Sequence, residues 1–225
     1  STGEFEQGRT VIEGLRKERP QYFYLLTFFS PSGYNEHKDF DQVDAVHYLP
    51  LDGDENANDF IQIVNPTIAI FIKYEFWYHY FNSLANRNIP LFLVSAKLTE
   101  NHMFFKWYGK NYQRVLQLPT LFFVQDEQTD ELLKILDVSN SMIAGDTRVD
   151  RVFQVLNNDK KNALVERFLG EKSAVIFGSS WEREQEFLVK WIKSGTCKDK
   201  IIIAPHEIVE SKIQKLQTNV GKGVV

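Results

Sequence analysis

Two glutamates stand where a carboxylate could do chemistry, Glu4 as a base and Glu75 at the end of an apolar run. Glu4 lies in the opening stretch STGEFEQGR, ahead of the apolar positions Val11, Ile12 and Leu15 that, with Phe5, read as one helix face. That placement has two readings. Ser1-Thr2-Gly3-Glu4 matches the S-x-x-E capping box, in which the glutamate folds back on the cap backbone and does no chemistry. In the other reading a glycine turn presents Glu4 at the mouth of a sheet, where exposed helix N–H groups favour its ionised form and leave it available as a base.

Glu75 directly follows the apolar run IAIFIKY and precedes Phe76 and Trp77. Open α/β sheets bind ligands outside the carboxyl ends of their strands, so a carboxylate there is placed for function. Its alternative role is an N-cap or first-turn acid on the helix that follows. The same placement singles out Ser30, Ser32 and Gly33 in FFSPSGYN, Ser95 and Lys97 in VSAKL, and Asp146 and Arg148 in GDTR. Loops at one edge of one sheet converge, so these polar turns are expected to line a single cleft.

Further along, Gly178-Ser179-Ser180 sits between a strand-like run and a helix, where small residues let N–H groups and hydroxyls face an anion, or simply cap the helix. His206 in APHE also follows a strand; it reads either as a phosphate contact or as a surface histidine. Neither GxGxxG nor GxxxxGK[ST] occurs, which removes the main support for dinucleotide and P-loop binding. The histidines at 37, 47, 79, 102 and 206 lack ligand spacing, so no metal and no cofactor are expected.

The elements that must hold these residues are legible in the apolar patterning. Near-continuous runs rich in aromatic and β-branched residues recur at 22–29, 45–50, 68–75, 90–96, 120–126 and 141–146, and again at 173–180 and 200–207. Continuous rather than alternating runs predict strands covered by helices on both faces, hence a mainly parallel sheet with α crossovers. Helices are predicted in FEQGRTVIEGLRKER, FWYHYFNSLANRN, DEQTDELLKIL with Asp126 as N-cap, and EREQEFLVKWIKSG. The charged stretch RVFQVLNNDKKNALVERFLGEK interrupts the rhythm, predicting an α/β lobe over 1–150, an inter-lobe helix or linker over 151–170 and the start of a second α/β lobe over 171–225. The first lobe reads as nearly complete and the second as truncated, with the chain starting and stopping inside a longer pattern.

Composition limits the function classes. A chain of 225 residues with 43% hydrophobic residues can bury a core, and a net charge of -4 gives no basic footprint for nucleic acid. A single cysteine, Cys197, allows no internal disulfide. No apolar run reaches transmembrane length. The stretch HMFFKWYGKNYQR, with Lys106, Lys110 and Arg114 among its aromatics, reads either as an ordinary half-buried helix or as a membrane-surface patch.

Taken in order, STGEFEQGR, LTFFSPSGY, FIKYEFW, LVSAKL, FFKWYG, FVQDE, AGDTRVDR, FGSSWEREQE and IIIAPHE resemble the 3-deoxy-D-manno-octulosonic acid (Kdo) transferases of lipopolysaccharide synthesis. The resemblance implies a two-lobed, Rossmann-like glycosyltransferase-B architecture. It implies inverting, metal-independent transfer of Kdo from CMP-Kdo to a lipid A precursor hydroxyl, at a membrane surface on the cytoplasmic face of the bacterial inner membrane. It assigns Glu4 as general base and Glu75 as a second important carboxylate of the acceptor cleft. Ser30, Ser32, Gly33, Ser95 and Lys97 are then expected to bind acceptor, and Arg148, Ser179, Ser180 and His206 to bind donor. The rival readings are a transferase or epimerase of the same fold acting on another nucleotide sugar, or a non-catalytic binding module.

Overall fold

The computed structural model describes residues 2–157, 162–196 and 198–221. The chain forms two compact units, Ser1–Asn158 and Asp159–Val225. Each is α/β, and every strand pairing among the described residues is parallel, as the continuous apolar runs predict.

In the first unit, helix α1 (Thr2–Glu18) precedes strand β1 (Leu25–Phe28), α2 (Pro31–His37), β2 (Ala45–Tyr48), α3 (Asp54–Val64), β3 (Ala69–Ile72), α4 (Tyr78–Asn86) and β4 (Leu91–Ala96). Two 3-10 segments, Met103–Phe105 and Trp107–Gln117, then lead into β5 (Leu121–Val124), α5 (Glu127–Ile135), β6 (Ser141–Ile143) and α6 (Thr147–Asn157). The strands divide into a parallel pair, β1-β2, and a parallel four-stranded sheet in the order β3-β4-β5-β6. The polar turns expected along one sheet edge therefore belong to two sheets.

The core lies on one face of the larger sheet. Leu93 of β4 and Phe122 of β5 pair in register and are both fully buried, beneath Tyr80, Phe81 and Leu84 of α4 and Leu133 of α5. Burying each of these large side chains contributes about 1.5–3 kcal/mol. Asp126 is the N-cap of α5: its carboxylate accepts the Thr129 N–H at 2.9 Å. Helix α4 takes its cap from a distant residue, because Asp52 accepts the N–H groups of His79 at 3.1 Å and Tyr80 at 3.2 Å. Burial, with the Asp52 charge nearby, pushes the Tyr80 phenol up to about 12, so its hydroxyl stays neutral and donates to the Pro50 carbonyl at 3.0 Å.

Helix α1 is fixed at both ends. Near its carboxyl end Arg16 makes a fork to Asp44, with both N–O distances 2.9 Å, beside the start of β2. Toward its other end it packs on α6, where Arg151 lies 3.5 Å from Glu6 and 3.9 Å from Glu13. Helix α6 thus belongs to the compact body of the first unit.

The stretch HMFFKWYGKNYQR is 3-10 rather than α-helical. The backbone at buried Gly109 runs so close to the Met103 carbonyl that a Cβ would sit 1.8 Å from that oxygen. Trp107, 87% exposed, projects with Tyr108 and Tyr112 into solvent.

The second unit contains α7 (Ala163–Leu169), β7 (Ala174–Ser180), α8 (Glu182–Lys193), β8 (Lys200–Pro205) and α9 (Glu210–Val220), with β7 and β8 paired in parallel. No helix among the described residues is long and apolar enough to cross a membrane.

Candidate active site

Strands β3, β4, β5 and β6 all point the same way, so the residues that follow them gather at one edge. After β3, Lys73 adopts a left-handed backbone with φ 65° while its N–H still bonds the Val94 carbonyl at 2.9 Å. This turn ends the strand at once and leaves Glu75 on the rim, half-buried, with its carboxylate accepting the indole N–H of Trp77. Glu75 does not cap α4, whose first amides are taken by Asp52.

Burial pushes the Glu75 carboxyl above its ordinary value. The Trp77 hydrogen bond opposes that rise by favouring the ionised form, and the negative charge of Glu4 adds to it. Glu4 belongs to the first turn of α1, where helix N–H groups favour an anion. The turn expected around Gly3 is helical instead, and Ser1 of the capping box lies outside the described residues. The two carboxylates singled out in the sequence, 71 positions apart, therefore lie within electrostatic reach of each other.

Near the end of β4 the chain bulges at Ser95, φ 52°, and the ladder to β5 shifts register between Val94 and Ala96. The bulge turns the buried Ser95 hydroxyl toward Thr147, the first residue of α6. Ser95 Oγ and Thr147 Oγ1 are 3.0 Å apart, the Thr147 N–H donates to Ser95 Oγ at 3.2 Å, and the Thr147 hydroxyl donates to the Gln7 carbonyl at 2.8 Å. Because the Thr147 proton goes to Gln7, Ser95 is the donor between the two hydroxyls.

Lys97 and Arg148 are each paired with a carboxylate. Lys97 Nζ is 2.8 Å from Asp126, whose other oxygen accepts from Thr129; this partnership, led by Lys97, holds the Asp126 carboxyl at about 2. Arg148 donates through Nε to Asp146 at 2.9 Å, and Asp146 also accepts from Gln7 Nε2 at 3.1 Å. Led by the Arg148 hydrogen bond, these contacts drive the Asp146 carboxyl far below the usual carboxylate range.

The turn after β1 is built differently. Ser30 caps α2 by accepting the Gly33 N–H at 3.3 Å, and the Ser30 and Ser32 hydroxyls are 3.3 Å apart. Gly33 is buried under Phe28, whose ring would be 2.7 Å from an added Cβ, so close packing requires a glycine here. Phe29, the residue before Ser30, meets Trp77 edge-on with ring centroids 5.0 Å apart, which ties this turn to the loop carrying Glu75.

In the second unit, Ser179 sits in a left-handed bulge, φ 54°, at the end of β7. Its hydroxyl is 2.8 Å from His206 Nδ1, and the His206 ring stacks on Trp181 with centroids 4.0 Å apart. Ser180 is buried instead, with Gln185 donating to its carbonyl at 3.1 Å and its hydroxyl at 3.3 Å. Ser179 and His206 thus share one exposed spot, and Ser180 supports it from beneath.

Sequence reasoning missed Gln7, Thr147 and the indole of Trp77. Nothing local marks Gln7 or Thr147, because their partners lie 139 and 140 positions away.

Residues 1–151 match the family model described as 3-Deoxy-D-manno-octulosonic-acid transferase (kdotransferase). Among curated proteins, the chain is similar to the 3-deoxy-D-manno-octulosonic acid transferases of Rickettsia felis and Haemophilus influenzae. The first match is 25% identical over 197 residues, covering 86% of this chain and 42% of the relative. The second is 30% identical over 100 residues, covering 44% of this chain and 23% of the relative. The chain thus spans under half the length of these relatives. In fold it is similar to the UDP-GlcNAc 2-epimerase of Neisseria meningitidis bound to UDP-GlcNAc, with a TM-score of 0.66 and 13% identity over 98% of this chain and 67% of that one. A second UDP-N-acetylglucosamine 2-epimerase gives a TM-score of 0.67 at 15% identity, over 99% of this chain and 64% of that one.

Proposed function

The chain belongs to the 3-deoxy-D-manno-octulosonic-acid transferase family, and from that premise we propose that the full-length protein transfers Kdo from CMP-Kdo to a hydroxyl of a lipid A precursor, with Glu4 as general base. The observation that carries this reading is the electrostatic coupling of Glu4 to the half-buried Glu75 at the carboxyl edge of the sheet.

In the proposed reaction the acceptor oxygen attacks the anomeric carbon of Kdo while Glu4 takes its proton. The new C–O bond forms as the bond to the phosphate of CMP breaks, and CMP departs with the electron pair. Direct displacement inverts the anomeric centre. Glu75, whose carboxyl is pushed upward by burial and by the charge of Glu4, holds a hydroxyl of the acceptor at the rim. Ser30, Ser32, Gly33, Ser95 and Lys97 form or support the acceptor side. Of these, Ser95 and Gly33 act through packing and backbone geometry, since both are buried.

For the donor, Ser179 and His206 present a hydroxyl and an imidazole to the phosphate, and Ser180 fixes the strand end below them. The exposed aromatics Trp107, Tyr108 and Tyr112, with Lys110 and Arg114 among them, suit contact with an anionic membrane surface, which is where a lipid acceptor would be met.

The test is direct. Incubating the full-length protein with CMP-Kdo and a lipid A precursor should yield a Kdo-bearing glycolipid and free CMP. A folded protein that leaves both substrates unchanged contradicts the reading.

A further inference from the structure

Resting on the assignment of Glu4 as the base, we infer that Gln7 and Thr147 form a latch that positions the Glu4 carboxylate, with Ser95 as its anchor in the sheet. Gln7 lies one helical turn after Glu4, on the same side of α1. It is fully buried, and it is held twice: its side-chain amide donates to Asp146 at 3.1 Å and its main-chain carbonyl accepts the Thr147 hydroxyl at 2.8 Å. Asp146 ends the turn between β6 and α6, and Thr147 begins α6.

Thr147 is in turn fixed to Ser95 through two contacts, 3.0 Å between the hydroxyls and 3.2 Å from the Thr147 N–H. Ser95 belongs to the bulge of β4, and Gln125 donates to its carbonyl at 3.0 Å. One chain of hydrogen bonds therefore runs from the bulge of β4, through the start of α6, to the first turns of α1. At the adjacent position, Gly8 lets α1 approach β3 so closely that an added Cβ would lie 3.3 Å from Ile72. The consequence is a fixed distance between the strand that delivers Glu75 and the helix that delivers Glu4.

Two features separate this arrangement from ordinary packing. Gln7 Oε1 is buried with no hydrogen-bond partner among the described residues, so the side chain is held through its amide nitrogen alone. Ser95 also adopts a left-handed backbone that a non-glycine residue rarely takes. Buried unsatisfied atoms and backbone outliers concentrate where position matters more than stability.

The decisive experiment is a double-mutant cycle on the full-length protein, with Glu4→Gln, Thr147→Val and the pair measured for turnover with CMP-Kdo and a lipid A precursor. Thr147→Val keeps the volume and removes the hydroxyl. Misplacing the base should lower kcat about tenfold to a hundredfold with KM unchanged, and Thr147→Ser should restore turnover. In the Glu4→Gln background, where no base remains to be positioned, Thr147→Val should change the residual rate less than about twofold. Gln7→Met, which removes only the amide donor to Asp146, should also lower kcat with KM unchanged; if it does not fold, the threonine cycle decides alone. Should Thr147→Val lower turnover equally in both backgrounds, the latch is only structural and the inference falls, while Glu4 keeps its role. Wild-type turnover in Glu4→Gln itself overturns the base assignment and the latch together.

Discussion

The carboxylate of Glu75 accepts the indole N–H of Trp77, two residues further along, and the same carboxylate is repelled by Glu4. Opposite influences thus meet on one side chain: burial and Glu4 favour its neutral form, and Trp77 favours its charged form. Because the net shift is upward, ionised Glu75 works against folding. Its stabilising contribution is present in acid, below the unfolded carboxyl value, and is lost as pH rises through the folded one. Glu75→Gln should therefore raise Tm at pH 7 relative to the parent, with the gain shrinking toward pH 4. Trp77→Phe, which removes the donor, should push the Glu75 carboxyl higher still, as measured by carboxyl titration in NMR. An unchanged titration would show that the indole does not hold the carboxylate.

Lys97 and Asp126 form the opposite case. Asp126 is held at about 2 and caps α5, so it stabilises the fold above its unfolded value near 3.8 and loses that contribution as pH falls toward 2. Asp126→Ala should cost about 1 kcal/mol at pH 7, the usual value of a helix N-cap, measured by denaturant unfolding. The loss should shrink as pH falls toward 2.

Gly109 has a different requirement. An added methyl would meet the Met103 carbonyl at 1.8 Å, against backbone that has little room to move. Gly109→Ala should destabilise the first unit by about 1–3 kcal/mol, typical of overpacking, and should shift the fluorescence of Trp107 two residues before it. Unchanged stability and emission would contradict the close approach.

The aromatic and basic residues of the 3-10 segment Trp107–Gln117 give a prediction about surfaces. Reversing the charges of Lys106, Lys110 and Arg114 in the full-length protein should weaken binding to anionic vesicles. Each removed cation is worth about 1 kcal/mol near such a surface, and added salt should weaken the parent's binding in the same way. Equal vesicle binding by parent and variant would remove this surface from the account.

Much of the fold was legible because the strands of a parallel sheet with helical crossovers are apolar nearly throughout. The runs at 68–75, 90–96 and 120–126 contain β3, β4 and β5, and Asp126 was readable as an N-cap from its type and place. Helices α2, α3 and α9 were not read: α2 starts at Pro31, inside a stretch whose serines, proline and glycine suggested a turn, and α9 is largely polar. Of the candidate site, the single carboxylates and the strand-end loops were visible in the sequence. The latch was not, since hydrogen bonds between residues 7, 95 and 147 leave no periodic trace in the chain. Nor could residue types reveal that Lys97 and Arg148 are each neutralised by an aspartate.

The most direct test of the central claim compares turnover of CMP-Kdo and a lipid A precursor by the full-length protein with that of Glu4→Gln, at equal folding judged by circular dichroism. Loss of the base should lower kcat about a hundredfold to ten-thousandfold, with little change in KM for either substrate. Turnover within a factor of about two of the parent, across pH 6 to 9, would mean that Glu4 does not take the proton.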